Sequence, residues 1–283
     1  MKIKEELKWG ETLLVGSEVE GSKASANFLM RRVLNCDKAY LIAHDSRELT
    51  RKEEKLFIAW IERRAKHEPV WYITSTIEFG SLILAVNEHV LIPRPETELL
   101  IERVVQELRN EDKELRILDV GTGSGTIILS LAEKFGKKHR YFASDVSHDA
   151  LEVAKQNAKS NGLGGLIEFR EGDLFSPWVG ETFDVIVANL PYIPHEDMAT
   201  LAFDLVHFEP RVALDGGAKG MEIYERFLPE LPNYLNAGGM VFLEIGYNQG
   251  LLITKVVQKY MPKADVGVLN DYANIDRIVV IRA

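Results

Sequence analysis

The chain has 283 residues, 46% of them hydrophobic and 27% charged, which is globular composition with material for about two domains and excludes a disordered or fibrous chain. Lys and Arg total 34 against 43 Asp and Glu, and the net charge of -9 disfavours general binding to a phosphate backbone. No run reaches the roughly 18 apolar residues of a membrane span, the start Met1-Lys2-Ile3-Lys4-Glu5-Glu6 lacks a signal peptide's apolar core, and the lone Cys36 excludes an intrachain disulfide or a cysteine-based zinc cluster.

Residues 1 to about 75 read as a small helical bundle. Ser22 is placed to cap a helix through Phe28, Leu29, Val33 and Leu34. Thr50-Arg51-Lys52-Glu53 has the form of a capping box, opening a helix with Leu56, Phe57, Trp60 and Ile61 on one face. Pro69 ends that pattern. Residues 76–92 favour strand through Ile77, Phe79, Leu82, Leu84 and Val86, with Asn87-Glu88 as a turn, and read as a hairpin linking two domains. Pro93 and Pro95 bracket Arg94 ahead of a helix from Glu96 to about Leu108.

From Leu115 the pattern alternates. Strands are expected at 115–120, 140–145, 166–170, 183–188 and 239–245, and helices at 125–135, 147–160, 220–235 and 248–260. Such alternation builds a parallel sheet covered by helices. Two final strand-like runs, 264–270 and 276–282, fit an antiparallel hairpin at the end of the sheet. The domains expected are 1–75, 76–92 as a link, and 93–283.

Four segments carry chemistry. Asp119-Val120-Gly121-Thr122-Gly123-Ser124-Gly125 lies between a strand and a helix, where glycines allow a sharp turn and close approach to a ligand. A dinucleotide fingerprint needs Gly or Ala at 126, and Thr126 stands there. The spacing resembles the cofactor loop of S-adenosylmethionine-dependent methyltransferases; a plain tight turn is the alternative. Asp145 ends the next strand, where a carboxylate accepts both ribose hydroxyls of an adenosine or serves a helix start beside Ser147 and Asp149. One unit later, Asp173 in Gly172-Asp173-Leu174-Phe175 can accept from an adenine amino group, with a neighbouring N–H donating to the ring, or can be an ordinary turn residue. Asn189-Leu190-Pro191-Tyr192 ends strand 183–188, at the carboxyl edge where open α/β sheets bind ligands. It resembles the Asn-Pro-Pro-Tyr motif of amino methyltransferases, which act on planar amide or exocyclic amine nitrogens.

The resemblance covers the whole chain and is to the HemK/PrmC family, the glutamine methyltransferases of peptide-chain release factors. It is carried by Glu68-Pro69, Tyr72-Ile73, Glu78-Phe79, the run Val90-Leu91-Ile92-Pro93-Arg94-Pro95-Glu96-Thr97-Glu98, the glycine loop, Asn189 to Tyr192, Phe208-Glu209-Pro210 and Leu243-Glu244-Ile245-Gly246. The Ile-Pro-Arg-Pro-Glu-Thr-Glu run is the specific part, since the glycine loop and Asn-x-Pro-Tyr also occur in DNA and RNA methyltransferases. The resemblance implies a Rossmann-like class I S-adenosylmethionine-dependent methyltransferase fold, mostly parallel with a C-terminal antiparallel hairpin, behind a helical domain that helps bind the release factor. It implies S-adenosyl-L-methionine as cofactor, S-adenosyl-L-homocysteine as product, class I release factors as partners, and a cytoplasmic enzyme with no membrane or direct nucleic-acid partner.

Under that resemblance Asp119, Gly121, Thr122, Gly123, Ser124, Gly125, Asp145, Asp173, Leu174 and Asn189 hold the cofactor. The Asn189 side-chain oxygen and the Leu190 carbonyl accept the two N–H groups of the target amide. Pro191 shapes the turn, Tyr192 packs on the planar amide, and Arg94, with Glu96, lines the substrate entrance or forms a linker salt bridge. One departure stands out: the family has Pro where this chain has Leu190. Pro191 still biases Leu190 to an extended backbone, but the added N–H needs a partner. If only the Leu190 carbonyl matters, Leu190→Pro is expected to be tolerated. Two other readings compete. One is a DNA or RNA amino methyltransferase, which predicts a basic groove and a flipped base. The other is a non-catalytic release-factor-binding module. His44, His195 and His207 lack paired ligands at helical spacing, so no metal is expected.

Overall fold

In the computed structural model, which describes residues 1–283, five helices come first: α1 (Ile3–Gly16), α2 (Ser22–Leu34), α3 (Lys38–Ala43), α4 (Arg51–Arg64) and α5 (Val70–Thr74). A hairpin of β1 (Thr76–Phe79) and β2 (Leu82–Ala85) leads to α6 (Pro95–Leu108). Strands and helices then alternate as β3 (Arg116–Val120), α7 (Thr126–Phe135), β4 (Arg140–Asp145), α8 (His148–Ser160), β5 (Ile167–Glu171) and β6 (Phe183–Ala188). Four short helices follow: α9 (His195–Met198), α10 (Phe203–Phe208), α11 (Glu222–Phe227) and α12 (Leu231–Tyr234). The chain closes with β7 (Leu235–Glu244), α13 (Gly250–Tyr260), β8 (Asp265–Asn270) and β9 (Asp276–Arg282).

The chain divides into two units, Met1–Thr76 with Ala202–Phe208, and Ile77–Leu201 with Glu209–Ala283. In the first, Leu29 and Met30 of α2 and Phe57 and Ile61 of α4 are fully buried in one cluster. Each such side chain contributes about 1.5–3 kcal/mol by leaving water. Leu56, expected on the same face, is exposed. The capping box at Thr50 forms: its hydroxyl accepts the Glu53 N–H at 3.3 Å, and the Glu53 carboxylate accepts the Thr50 N–H at 2.8 Å. Ser22 does not cap α2. Gly21, at φ +64°, holds the cap position, and the Ser22 hydroxyl donates back to the Val19 carbonyl. A left-handed entry selects glycine there.

Residues 202–208 were expected in the catalytic domain but belong to the helical unit. Arg64 is buried in that unit, with the Asp204 carboxylate 3.6 Å from its guanidinium, and the Phe203 ring packs on His67 at 4.9 Å. A buried guanidinium needs a counter-charge, and α10 supplies it from far along the chain.

The second unit holds a seven-stranded sheet ordered β5-β4-β3-β6-β7-β9-β8. β5, β4, β3, β6 and β7 run parallel, and β9 pairs antiparallel with both β7 and β8. The central strands are buried on both faces, which is why they read as continuous apolar runs. The helix expected over 220–235 is interrupted. Pro229 and Pro232 lack the N–H that an interior helical bond requires, so α11 stops before the first and α12 begins just ahead of the second.

The hairpin turns at Gly80-Ser81 and not at Asn87-Glu88, because a two-residue loop needs positive φ and Gly80 supplies it at +55°. Asn87 instead opens a separate turn closed by the Val90 N–H at 3.1 Å. From Ile77 on, the hairpin belongs to the second unit and is not a free link. Asn157 and Asn161, one turn apart on α8, each donate to and accept from β2: Asn157 bonds both backbone groups of Ala85 at 2.7 and 3.0 Å, and Asn161 bonds those of Ile83 at 3.2 and 2.9 Å. Side-chain amides thus cover an edge that would otherwise expose unpaired backbone.

Candidate active site

Parallel pairing puts the carboxyl ends of β3, β4, β5 and β6 along one edge. The loops that leave them surround a cavity of about 380 Å³, within the size range of small-molecule sites. Arg94, Gly121, Thr122, Gly123, Ser124, Asp145, Asp173, Leu174, Asn189, Leu190 and Pro191 all line it. Asp119, Gly125 and Tyr192 do not reach its wall.

The glycine loop is braced from below. Gly121 and Thr122 donate their N–H groups to the Ser144 carbonyl at 2.9 and 3.0 Å. Gly121 sits at φ +75°, and a Cβ there would come within 3.1 Å of Leu190 Cδ2. Asp119 is fully buried beneath the loop and accepts the Thr122 hydroxyl at 2.6 Å. Burial pushes its carboxyl up to about 7. Its place is therefore that of a brace under the cavity floor.

Asp145 stands between the loop and the helix that follows it. Its carboxylate accepts the Gly123 N–H at 2.8 Å and the Ser147 N–H at 2.9 Å, so it ties the loop to the start of α8. The cap of α8 itself is Ser147, whose hydroxyl accepts the Ala150 N–H at 3.2 Å. Each Asp145 oxygen holds one N–H and keeps acceptor capacity toward the cavity it lines. Burial raises its carboxyl above the ordinary range. Asp173 is gripped by Arg226 of α11, another cavity residue that sequence reading missed. Leu174 beside it is buried at φ +48°, a strained conformation for a branched side chain. Apolar and polar lining residues together, with a carboxylate of spare acceptor capacity among them, fit an adenosyl group with a charged tail.

The turn Asn189–Tyr192 is held by residues far away in sequence. Asn189 Nδ2 donates to the Thr97 hydroxyl at 3.4 Å, and Thr97 donates to Glu244 Oε2 at 2.7 Å. The Tyr224 hydroxyl donates to the Glu244 carbonyl. The Leu190 side chain is 3% exposed and packs in the core of the sheet unit. Tyr192 is not among the residues that line the cavity. Its hydroxyl lies 3.4 Å from Glu244 Oε1, and its carbonyl accepts from Gln249 at 3.0 Å. Burial and the neighbouring Glu244 push the Tyr192 phenol up to about 12. Through these contacts Tyr192 helps fix the turn.

Arg94 lines the cavity and is paired with Glu209, whose other oxygen accepts the Ile92 N–H at 3.0 Å. Glu209 is 5% exposed, so this pair clamps the Ile92–Arg94 segment over the site. His195 pairs with Asp215 at 2.9 Å, while His207 and His44 bond backbone carbonyls of their own helices. Glu209, Glu244 and Thr97 lay within quoted sequence runs, but no local pattern assigned them partners.

Comparison with known proteins agrees with this geometry. The PrmC N-terminal domain family matches residues 5–74, and a methyltransferase domain family matches residues 111–264. The release factor glutamine methyltransferase of Bacillus cereus is 37% identical over 99% of this chain and 98% of its own length. Its namesake from Koribacter versatilis is 38% identical over 95% of this chain and 94% of its own. Among solved structures, a methyltransferase from Pyrococcus furiosus superposes with TM-score 0.52 at 21% identity, over 72% of this chain and 90% of its own. The hMettl16 catalytic domain in complex with an RNA hairpin gives TM-score 0.57 at 17% identity, over 86% and 84%. Those two likenesses concern the fold. Identity above a third along nearly the whole length, in a chain with this helical domain and this sheet, makes it a member of the release factor glutamine methyltransferase family.

Proposed function

We propose that the protein methylates the side-chain amide nitrogen of a glutamine in a class I peptide chain release factor, with S-adenosyl-L-methionine as methyl donor. The observation that carries this reading is Asn189 lining the same cavity as the glycine loop and Asp145, with its amide nitrogen turned onto Thr97. When bound, the cofactor supplies an electrophilic methyl group. Asp145, the loop Gly121–Ser124 and the Asp173-Leu174 segment would hold it.

The chain's own task is positioning and electrostatics. An amide nitrogen is a poor nucleophile because its lone pair is delocalised into the carbonyl. Asn189 Oδ1 and the Leu190 carbonyl would take its two N–H groups and direct the nitrogen at the methyl. The same two acceptors stabilise the positive charge that grows on nitrogen, so no general base is needed before attack. The apolar wall keeps water from competing for the methyl. The helical unit would recognise the release factor, a role supported by the match of residues 5–74 and by the position of every cavity residue after 88.

The test is incubation with purified release factor and methyl-labelled cofactor, followed by mapping of the label. Label on a glutamine side chain supports the reading. Label on nucleic acid with none on the release factor would establish the competing amino methyltransferase. Calorimetry that detects no cofactor binding would leave a non-catalytic binding module.

A further inference from the structure

Asn189 can help catalysis only with its amide the right way round. With Oδ1 toward the target it accepts an N–H; flipped, its own NH₂ would meet the target's NH₂, donor against donor. Side-chain amides flip easily on energetic grounds unless a neighbour distinguishes oxygen from nitrogen. Here the neighbour is Thr97, 4% exposed, whose hydroxyl has a single proton. That proton is committed to Glu244 Oε2 at 2.7 Å. Toward Asn189 the same oxygen can therefore only accept, and only the amide nitrogen can donate to it, as observed at 3.4 Å. The opposite flip would place two acceptors together, or pull the Thr97 proton away from a carboxylate that is 1% exposed. Leaving a buried acceptor unpaired is costly.

Glu244 is suited to this task by its place in the sheet. β7 runs parallel to β6 with Leu243 beside Ala188, so Glu244 ends its strand next to Asn189. From there it meets the turn at two points: its carboxylate reaches Asn189 through Thr97 and lies beside the Tyr192 hydroxyl.

We infer that Thr97 and Glu244 are positioning residues that lock the Asn189 amide with its oxygen free to accept from the substrate. The inference rests on the reading of Asn189 given above. It assigns the Thr of the Ile-Pro-Arg-Pro-Glu-Thr-Glu run to the amide's orientation and Glu244 to the direction of the hydrogen-bond chain.

The test compares Thr97→Val, which keeps the shape and removes the hydroxyl, with Thr97→Ser, which keeps the hydroxyl. Methylation of intact release factor gives kcat and KM, calorimetry gives cofactor affinity, and thermal melts report the fold. Thr97→Val is expected to lower kcat by about tenfold or more, the scale of one lost hydrogen bond, with KM and cofactor affinity unchanged; the melting temperature falls as well, because Glu244 loses a buried partner, and rates are compared well below it. Thr97→Ser is expected to restore the rate. Thr97→Ala removes the same hydroxyl without adding a methyl and carries the same expectation should the valine chain not fold. A wild-type kcat in the valine or alanine chain overturns the inference. So does a serine chain as slow as valine, or a rate loss that tracks cofactor affinity. A wild-type protein that methylates no release factor would overturn the functional reading instead, so the two failures are distinguishable.

Discussion

The glycine loop and the Asn189–Tyr192 turn face the same cavity but are held in different ways. The loop is fixed by its neighbourhood in sequence: Thr122 bonds Asp119 three residues back, and Gly123 bonds Asp145 at a separation of 22 residues. The turn is fixed from afar: Asn189 is bonded to Thr97 across 92 residues, and Tyr192 to Glu244 and Gln249 across 52 and 57. A ligand loop can be specified by a short run of glycines and acids. A catalytic amide that must present one particular atom needs donors and acceptors fixed by the sheet itself. The comparison predicts that damage to the loop affects cofactor affinity and damage to the turn affects turnover.

The largest effect is expected for Asn189→Ala. It removes an acceptor aimed at the reacting nitrogen, and groups of that kind are worth about 10²–10³ in kcat. Cofactor affinity should change far less. Single-turnover rates beside calorimetry measure both, and a near-normal rate in this variant would erase the contrast between the two regions.

Asp145→Ala is the counterpart on the loop. It removes the acceptor for the Gly123 and Ser147 N–H groups together with the expected ribose contacts. Charge-assisted bonds of this type contribute about 1.5–3 kcal/mol each, so the cofactor dissociation constant should rise by roughly ten- to a hundredfold. An unchanged constant would mean that Asp145 only ties the loop to α8.

Leu190→Pro sharpens the comparison where the two regions touch. Sequence alone suggested that proline would be tolerated. The structure opposes this, because the Leu190 side chain is buried in the core of the sheet unit and lies against Gly121. Proline fills less of that space and leaves a gap, which should cost about 1–3 kcal/mol. A lower melting temperature and a slower rate are expected. A proline chain as stable and as fast as wild type would show that only the carbonyl at 190 matters.

The smallest effect concerns Asp119 and pH. Its carboxyl is raised to about 7 by burial, above an unfolded value of about 3.9. A carboxyl raised on folding gives stability that is full at low pH and is lost as pH rises through the folded value. Asp119→Asn keeps an oxygen for Thr122 without a charge. Relative to wild type, the asparagine chain should therefore gain melting temperature from about pH 4 to about pH 7 and keep that gain above it. Parallel curves would mean that the buried carboxyl ionises normally.

The sequence by itself determined the elements, their order, and most of the residues around the cavity. Strands buried on both faces are apolar throughout, and a glycine loop before a helix needs residues that only certain positions can supply. For the same reason the capping box at Thr50 was legible: its partners stand three residues apart. The tertiary structure alone decided what depends on strand neighbours and buried charge. It moved Ala202–Phe208 into the helical unit through Arg64 and Asp204, and set the Tyr192 hydroxyl beside Glu244. Each of these is a polar group that loses water on folding and must find a partner. That partner is set by which strands lie side by side, which no local spacing records.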